Sequence, residues 1–426
     1  MRKKIQLLKP LLLSATARDT YILFFSNVAT AFLGFVFTWF VARALSVSDF
    51  GVFSAVNNLA LMIVPILDLG VSSALINFIA SIKQGEDKKA KEYAKAGLVI
   101  RFLFFLVVSF FLVAFGRLVS NRLLASGDIS LVYWVVVILI GLSLSSFVSS
   151  VLQAHKRFFS SMISDVSYSL GRVVFVLLFA LLGLSLSKSL LAFALAGLVT
   201  VIVTYFVLGF DFLKTKPKKD IYFDLIKFSG WLGVNRILSS ISGRADIQML
   251  AALAGATVTG YYSVASRLAF FIAVLTSSFA AVISPRLASM GDKEREKRFI
   301  LKSVLALLGI SLGIIFWVII AKPFVLFLFG TKYLESVKVF QALALSMIPF
   351  LFTAPSVSAI IYAMKKPKII GVFSVFQTAA ILVLNYLLIP KFGAFGPTIT
   401  FGITNTILLV YTWGIVIKYY TINSKS

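Results

Sequence analysis

Three arginines stand inside stretches that are otherwise apolar enough for lipid: Arg236 after Gly233-Val-Asn235, Arg244 after Ser242-Gly243, and Arg267 between Ser266 and Leu268. An arginine at bilayer depth costs about 2.5–3.5 kcal/mol or more, so it persists where it faces a partner or a water-filled cavity. A guanidinium fork matches phosphate through paired hydrogen bonds. Fixed positive charge inside a helical bundle therefore points to an anionic cargo. The other reading is a set of structural ion pairs, with Arg267 joined to Asp246 as one example. Arg172 is a fourth candidate cavity charge, or else a local partner of Asp165 two turns away.

Carboxylates are scarce in these stretches. Asp68 sits in Pro65-Ile-Leu-Asp68-Leu-Gly70-Val-Ser72-Ser73, where proline and glycine interrupt a long apolar run. Broken helices with freed backbone groups are a common way to build ion or substrate sites in transporters. Asp68 and Asp246 are the candidates for ion coupling, to Na+ or H+. Asp68 alternatively caps the helix segment that begins near Gly70. The chain has no cysteine and one histidine, His155, in a basic turn. That removes disulfides, thiolate metal sites and a cysteine nucleophile. With no nucleotide-binding glycine loop and no metal motif, neither an enzyme nor a cofactor is expected.

The elements that carry these residues follow from composition. The 426 residues are 60% hydrophobic and only 13% charged, with a mean hydropathy of +0.99; this is the signature of an all-α polytopic membrane protein. Hydropathy predicts twelve transmembrane helices, at about 20–42, 51–82, 96–116, 130–153, 161–184, 189–210, 226–254, 258–284, 300–321, 334–363, 368–388 and 395–417. A net charge of +25 raises the question of nucleic acid, but its distribution argues against it. Loops on the starting side hold Lys83, Lys88, Lys89, Lys91 and Lys95, then Lys214 to Lys219, then Lys293 to Arg298, then Lys365 to Lys368. Opposite loops hold far fewer. That asymmetry predicts a multi-pass protein of the plasma membrane with both termini cytoplasmic, and anionic headgroups neutralise the excess. The run from Tyr21 to Val41 is too long for a signal-peptide core and is read as a retained first helix. Residues 1–18 are expected along the cytoplasmic interface.

Gly51-Val-Phe-Ser54-Ala-Val-Asn-Asn-Leu59-Ala60 recurs as Gly260-Tyr-Tyr-Ser263-Val-Ala-Ser-Arg-Leu268-Ala269, 209 residues on (260 − 51). Under that offset Asn27 falls on Arg236, Thr30 on Ser239 and Gly34 on Gly243. Six helices per half make the repeats parallel, related by a pseudo-two-fold axis along the membrane normal around a central cleft. The expected division is an N-lobe at 1–210, a cytoplasmic linker at 211–225 and a C-lobe at 226–426. Asn27, Thr30, Gly34 and Thr38 form one helical stripe and are read as a cleft wall. On a continuous helix Arg244 lies about 80° from Arg236, so the two can face one cavity. The expected substrate-binding set is thus Arg236, Arg244, Arg267, Arg172 and Asn27.

The sequence resembles the polysaccharide biosynthesis flippases, the O-antigen-unit exporters of the multidrug/oligosaccharidyl-lipid/polysaccharide exporter superfamily. Three segments carry the likeness: Asp49-Phe50-Gly51-Val-Phe-Ser54 with Asp68-Leu69-Gly70-Val71, Ala281-Val-Ile-Ser-Pro285-Arg286-Leu287, and Leu384-Asn385 through Pro390 to Gly393-Ala-Phe-Gly396. The resemblance implies a MATE-like fold of two six-helix lobes. It also implies export of a polyprenyl-phosphate- or pyrophosphate-linked oligosaccharide to the outer leaflet by alternating access. The expected partners are that lipid-linked substrate, membrane lipids, and a polysaccharide polymerase or glycosyltransferases. Rival functions within the superfamily are a drug/cation antiporter, which favours an acidic cavity, and a peptidoglycan-precursor flippase, a family that commonly has two additional helices.

Overall fold

The computed structural model describes residues 15–83 and 86–422, and among these there are helices and no strands. Residues 1–14, which carry most of the predicted interfacial segment, lie outside the described residues. In chain order the helices are α1 (Ala15–Ala44), α2 (Val47–Asp68), α3 (Val71–Ala80), α4 (Asp87–Ala114), α5 (Gly116–Leu123), α6 (Ser130–Ala154), α7 (Phe158–Leu181) and α8 (Leu186–Val207). They continue with α9 (Lys219–Ser242), α10 (Ala245–Leu253), α11 (Gly255–Ala288), α12 (Lys293–Ile319), α13 (Ala321–Phe329), α14 (Leu334–Ser346), α15 (Ile348–Ser358), α16 (Pro367–Phe392) and α17 (Phe395–Ile422).

Eleven of the helical segments described are long and apolar enough to cross a membrane, against twelve predicted spans. The difference lies at 226–254. That run does not form one helix: α9 stops at Ser242, Gly243-Arg244 form a turn, and α10 starts at Ala245. Glycine beside serines gives the weakest intrinsic helix support in the run, and Asn235, Arg236 and Lys227 lower the hydropathy of α9. The predicted span 51–82 is likewise two helices, broken at Leu69 (φ 43°) and Gly70 (φ 83°). Here the interruption falls where Pro65 and Gly70 foretell it. The span predicted at 334–363 is α14, α15 and a π-turn at Ala359–Ala363, with Pro355 inside α15.

By compactness the chain forms two units. Unit 1 comprises the described residues up to Leu45 together with Val56–Ser240, and unit 2 comprises Ser46–Ala55 with the residues from Ile241 onward. In unit 1, α1 packs on α7, α7 on α8, α8 on α6, and α6 on α3 and α4. One core cluster there joins Leu75, Tyr93, Phe147, Leu152, Phe212 and Leu225. In unit 2, α11 packs on α14 and α15, and α17 on α14, α15 and α16.

Backbone contact at glycines explains why each unit includes a segment from the other half of the sequence. In unit 1 a Cβ on Gly233 of α9 would lie 2.4 Å from Leu69 O, and one on Gly70 would lie 2.8 Å from Ser229 O. Helix α9 therefore seats on the break between α2 and α3. In unit 2 the two glycines of the repeat meet: a Cβ on Gly51 would be 1.8 Å from Ala256 O, and one on Gly260 would be 2.1 Å from Val47 O. Close backbone approach through small residues is how helices associate where lipid offers no hydrophobic drive. Gly260→Ala is expected to cost the upper end of ~1–3 kcal/mol for overpacking, or more. Gly309→Ala, which would touch nothing within 4 Å, serves as the comparison in detergent melting curves and, inside α12, should not lower stability.

Candidate functional site

The break at Leu69-Gly70 sets the geometry of the site in unit 1. It leaves Asp68 at the end of α2 and frees the first amide groups of α3. Ser72 N–H donates to Asp68 Oδ1 at 3.0 Å and the Ser72 hydroxyl donates to the same oxygen at 2.8 Å. The helix-capping reading of Asp68 is thus present in the structure, from two positions before the cap residue Gly70. Asp68 also takes two arginines. Arg101 of α4 pairs with Oδ1 and Ser72 Oγ, while Arg236 Nη1 of α9 donates to Oδ2 at 3.0 Å. A third layer of hydroxyls and a ring holds the cluster: Ser150 Oγ donates to Ser72 Oγ at 2.7 Å, Arg101 Nη1 to Ser143 O at 3.2 Å, and the Arg101 guanidinium sits 5.6 Å from the Phe147 ring centre.

Exposure separates the two arginines. The side chains of Arg101 and Asp68 are 2% and 5% exposed, whereas that of Arg236 is 47% exposed. Arg101 neutralises the buried carboxylate, so two guanidinium groups against one carboxylate leave a formal charge of +1, displayed by Arg236. A guanidinium has five N–H donors. Arg236 spends one on Asp68 and one, at 2.8 Å, on Ser73 Oγ, which leaves three for a ligand. It lines a cavity of about 520 Å³ together with Asn235, Ser239, Ser73, Ser146 and Pro65. The arrangement is an aimed cation on a rigid mount, suited to binding an anion.

The remaining predicted residues have partners of their own. Arg172 stands apart from this cluster: its guanidinium lies 5.1, 5.3 and 5.7 Å from the ring centres of Tyr168, Phe193 and Phe37 and donates to Ser169 Oγ at 3.1 Å. Asp165 is bonded by Ser149 at 3.0 Å and forms no ion pair with it. The polar stripe of α1 is largely self-satisfied, since Thr30 Oγ1 donates to Ser26 O at 2.8 Å and Thr38 Oγ1 to Gly34 O at 2.8 Å. Such back-bonding is the usual fate of hydroxyls within an apolar helix. Asn27 is exposed. The helical-wheel argument that set Arg244 about 80° from Arg236 does not hold, because the helix ends between them and Arg244 is the cap residue of α10. Asp246 is buried and accepts from Tyr262 Oη at 2.7 Å, and Arg267 is half-buried in α11.

Arg101 was not among the expected site residues. Its signal was nonetheless in the sequence: one arginine between Ile100 and Phe102 in the predicted span 96–116, open to the same energetic argument that singles out Arg236.

An all-helical fold with eleven described segments long and apolar enough to cross a membrane, an interrupted second helix and a buried arginine–carboxylate cluster is that of a multi-pass membrane protein. Residues 16–291 match the family described as "Polysaccharide biosynthesis protein", and the chain belongs to that family. It is 24% identical over 381 residues to a "Putative O-antigen transporter" of Shigella flexneri, covering 85% of this chain and 88% of that protein. Among solved structures, an inward-facing multidrug resistance MATE family transporter of the MOP superfamily superposes with a TM-score of 0.74 at 15% identity, covering 93% of this chain and 96% of that one. Lipid II flippase MurJ, in an inward closed conformation, gives 0.70 at 16% identity over 94% of this chain and 88% of that one.

Proposed function

We propose that the protein is a flippase that moves a polyprenyl-phosphate- or pyrophosphate-linked oligosaccharide from the cytoplasmic to the outer leaflet by alternating access, for assembly of a cell-surface glycan. The observation that carries this reading is Arg236, a cation that keeps three donors free beside a cavity while its neighbour Arg101 neutralises the carboxylate both arginines share, Asp68. A drug/cation antiporter would need the opposite polarity there. The match to the polysaccharide biosynthesis family and the O-antigen transporter relative support the same choice. Both termini are proposed to be cytoplasmic, on the distribution of lysine and arginine in the loops. The transport needs no covalent step. Its energy comes from an Na+ or H+ gradient or from consumption of the product outside, and a polymerase or glycosyltransferases are the proposed partners there.

The test is reconstitution into proteoliposomes containing a fluorescent polyprenyl-pyrophosphate oligosaccharide, with a cationic dye as the rival cargo. Transbilayer movement of the lipid by wild type, lost in Arg236→Ala, is the expected result, with Arg244→Ala measured alongside. Gradient-driven uptake of the dye without lipid movement would overturn the reading in favour of the antiporter.

A further inference from the structure

A glycan linked to phosphate needs room for its sugars as well as for its charge. The cavity beside Arg236 adjoins a second one, of about 430 Å³, which shares Arg236 and Ser146 with it. Away from Arg236 the second cavity changes character. Its polar wall is built by α6 and α7 around Asp165, whose carboxylate accepts from Ser149 Oγ at 3.0 Å. The Ser149 and Ser161 hydroxyls lie 2.9 Å apart, and Gln153 Nε2 donates to them at 3.0 and 3.2 Å. Gln153 thereby spends its amide hydrogens and keeps its carbonyl oxygen as an acceptor. Asp165 forms no ion pair among the described residues. Leu61 and Leu142 supply apolar surface in the same cavity.

We propose that this cavity is the subsite for the sugar next to the phosphate, and that it takes a neutral or amino sugar in preference to an acidic one. The proposal rests on the flippase reading above. A pyranose offers hydroxyl donors at its edge and C–H groups on its faces. A carboxylate and an amide carbonyl accept the former, and aliphatic side chains pack against the latter, the usual composition of a small-molecule site. The sugar is joined directly to the phosphate, so its subsite must border the anion-binding cation, and Arg236 is common to both cavities. A carboxylate that no ion pair neutralises repels a second carboxylate strongly where water is scarce. Asp165 therefore discriminates against a uronic acid by repulsion while it binds a hydroxyl by acceptance.

The experiment uses the full chain in proteoliposomes with three probes: polyprenyl pyrophosphate without sugar, the same lipid bearing a neutral hexose, and the same lipid bearing a hexuronic acid. Wild type is expected to move the hexose lipid about 10-fold or more better than the uronate lipid, the factor that about 1.4 kcal/mol of repulsion between carboxylates supplies. Asp165→Asn is expected to narrow that ratio toward parity, because a carboxamide does not repel the uronate. It should leave movement of the sugar-free lipid unchanged and still dependent on Arg236. Gln153→Ala, which keeps Asp165, should weaken the hexose lipid alone and serves if Asp165→Asn fails to fold. An unaltered hexose-to-uronate ratio in both variants, with Arg236 dependence intact, overturns the subsite and leaves the flippase reading standing. Loss of the sugar-free probe in Asp165→Asn marks a structural role and also overturns it. If wild type moves none of the three lipids, the flippase reading falls and the subsite with it.

Discussion

Arg101→Leu is expected to lower stability by about 3–5 kcal/mol, the cost of breaking a buried ion pair by removing one partner. Both side chains are almost wholly enclosed, so Asp68 would stay buried with its charge met only by the more exposed Arg236 and by Ser72. The Leu side chain also removes the bonds that Arg101 gives to Ser143 O and Ser72 Oγ, although Ser72 Oγ keeps its donor Ser150, and lost hydrogen bonds add to the cost. Thermal unfolding in detergent, followed by fluorescence-detected size exclusion, measures this. The double variant Arg101→Leu/Asp68→Leu separates charge from packing. Removing both charges is far less costly than removing one, so the double should recover part of what the single loses, an interaction a double-mutant cycle resolves. A single variant as stable as wild type would sink the claim that this pair holds α2, α3 and α4 together.

Arg236→Ala should behave in the opposite manner. Its side chain is half exposed, and an exposed ion pair is worth about 0–1 kcal/mol. Asp68 keeps Arg101, so the fold should survive with a melting curve close to wild type. Function should not. Charge-assisted hydrogen bonds contribute about 1.5–3 kcal/mol, and at about 1.4 kcal/mol per factor of ten their loss weakens phosphate-lipid binding on the order of 10- to 100-fold. Arg236→Lys retains the charge but not the fork, and is expected to fall between wild type and alanine. The discriminating outcome is the pair of variants taken together: one arginine on Asp68 governs folding and the other governs transport. Equal melting losses in Arg101→Leu and Arg236→Ala would show that exposure does not divide their roles.

Sequence patterns located most helices because lipid imposes a length and a hydropathy on every span, and because Pro65 and Gly70 mark their own break. They singled out Arg236 as a candidate for the same reason, a charge where charge is expensive. The 80° spacing read for Arg244 does not carry over, since a helical wheel presumes continuity and α9 stops at Ser242. Sequence patterns did not supply the partnership of Asp68 with Arg101, 33 residues apart, because nothing in a local period records which helices become neighbours. The reading of the Thr30 and Thr38 hydroxyls as a cleft wall has a related basis. A polar residue on a helix reads the same whether it faces a ligand or bends back onto its own carbonyls.

The assignment of 46–55 to one compact unit and 219–240 to the other has a consequence for any attempt to take the protein apart. Cutting the chain between 211 and 218 would give two polypeptides, neither carrying everything its own unit packs. The first would lack α9, which covers the break after Leu69. The second would lack the Gly51 turn of helix that Gly260 contacts. Each fragment would expose a surface shaped for a strip of the other, as in domain-swapped assemblies. Co-expressed fragments should therefore reassemble as an obligate heterodimer by mutual donation, while either fragment alone should be degraded. The protein is divisible only in the manner of a clasp.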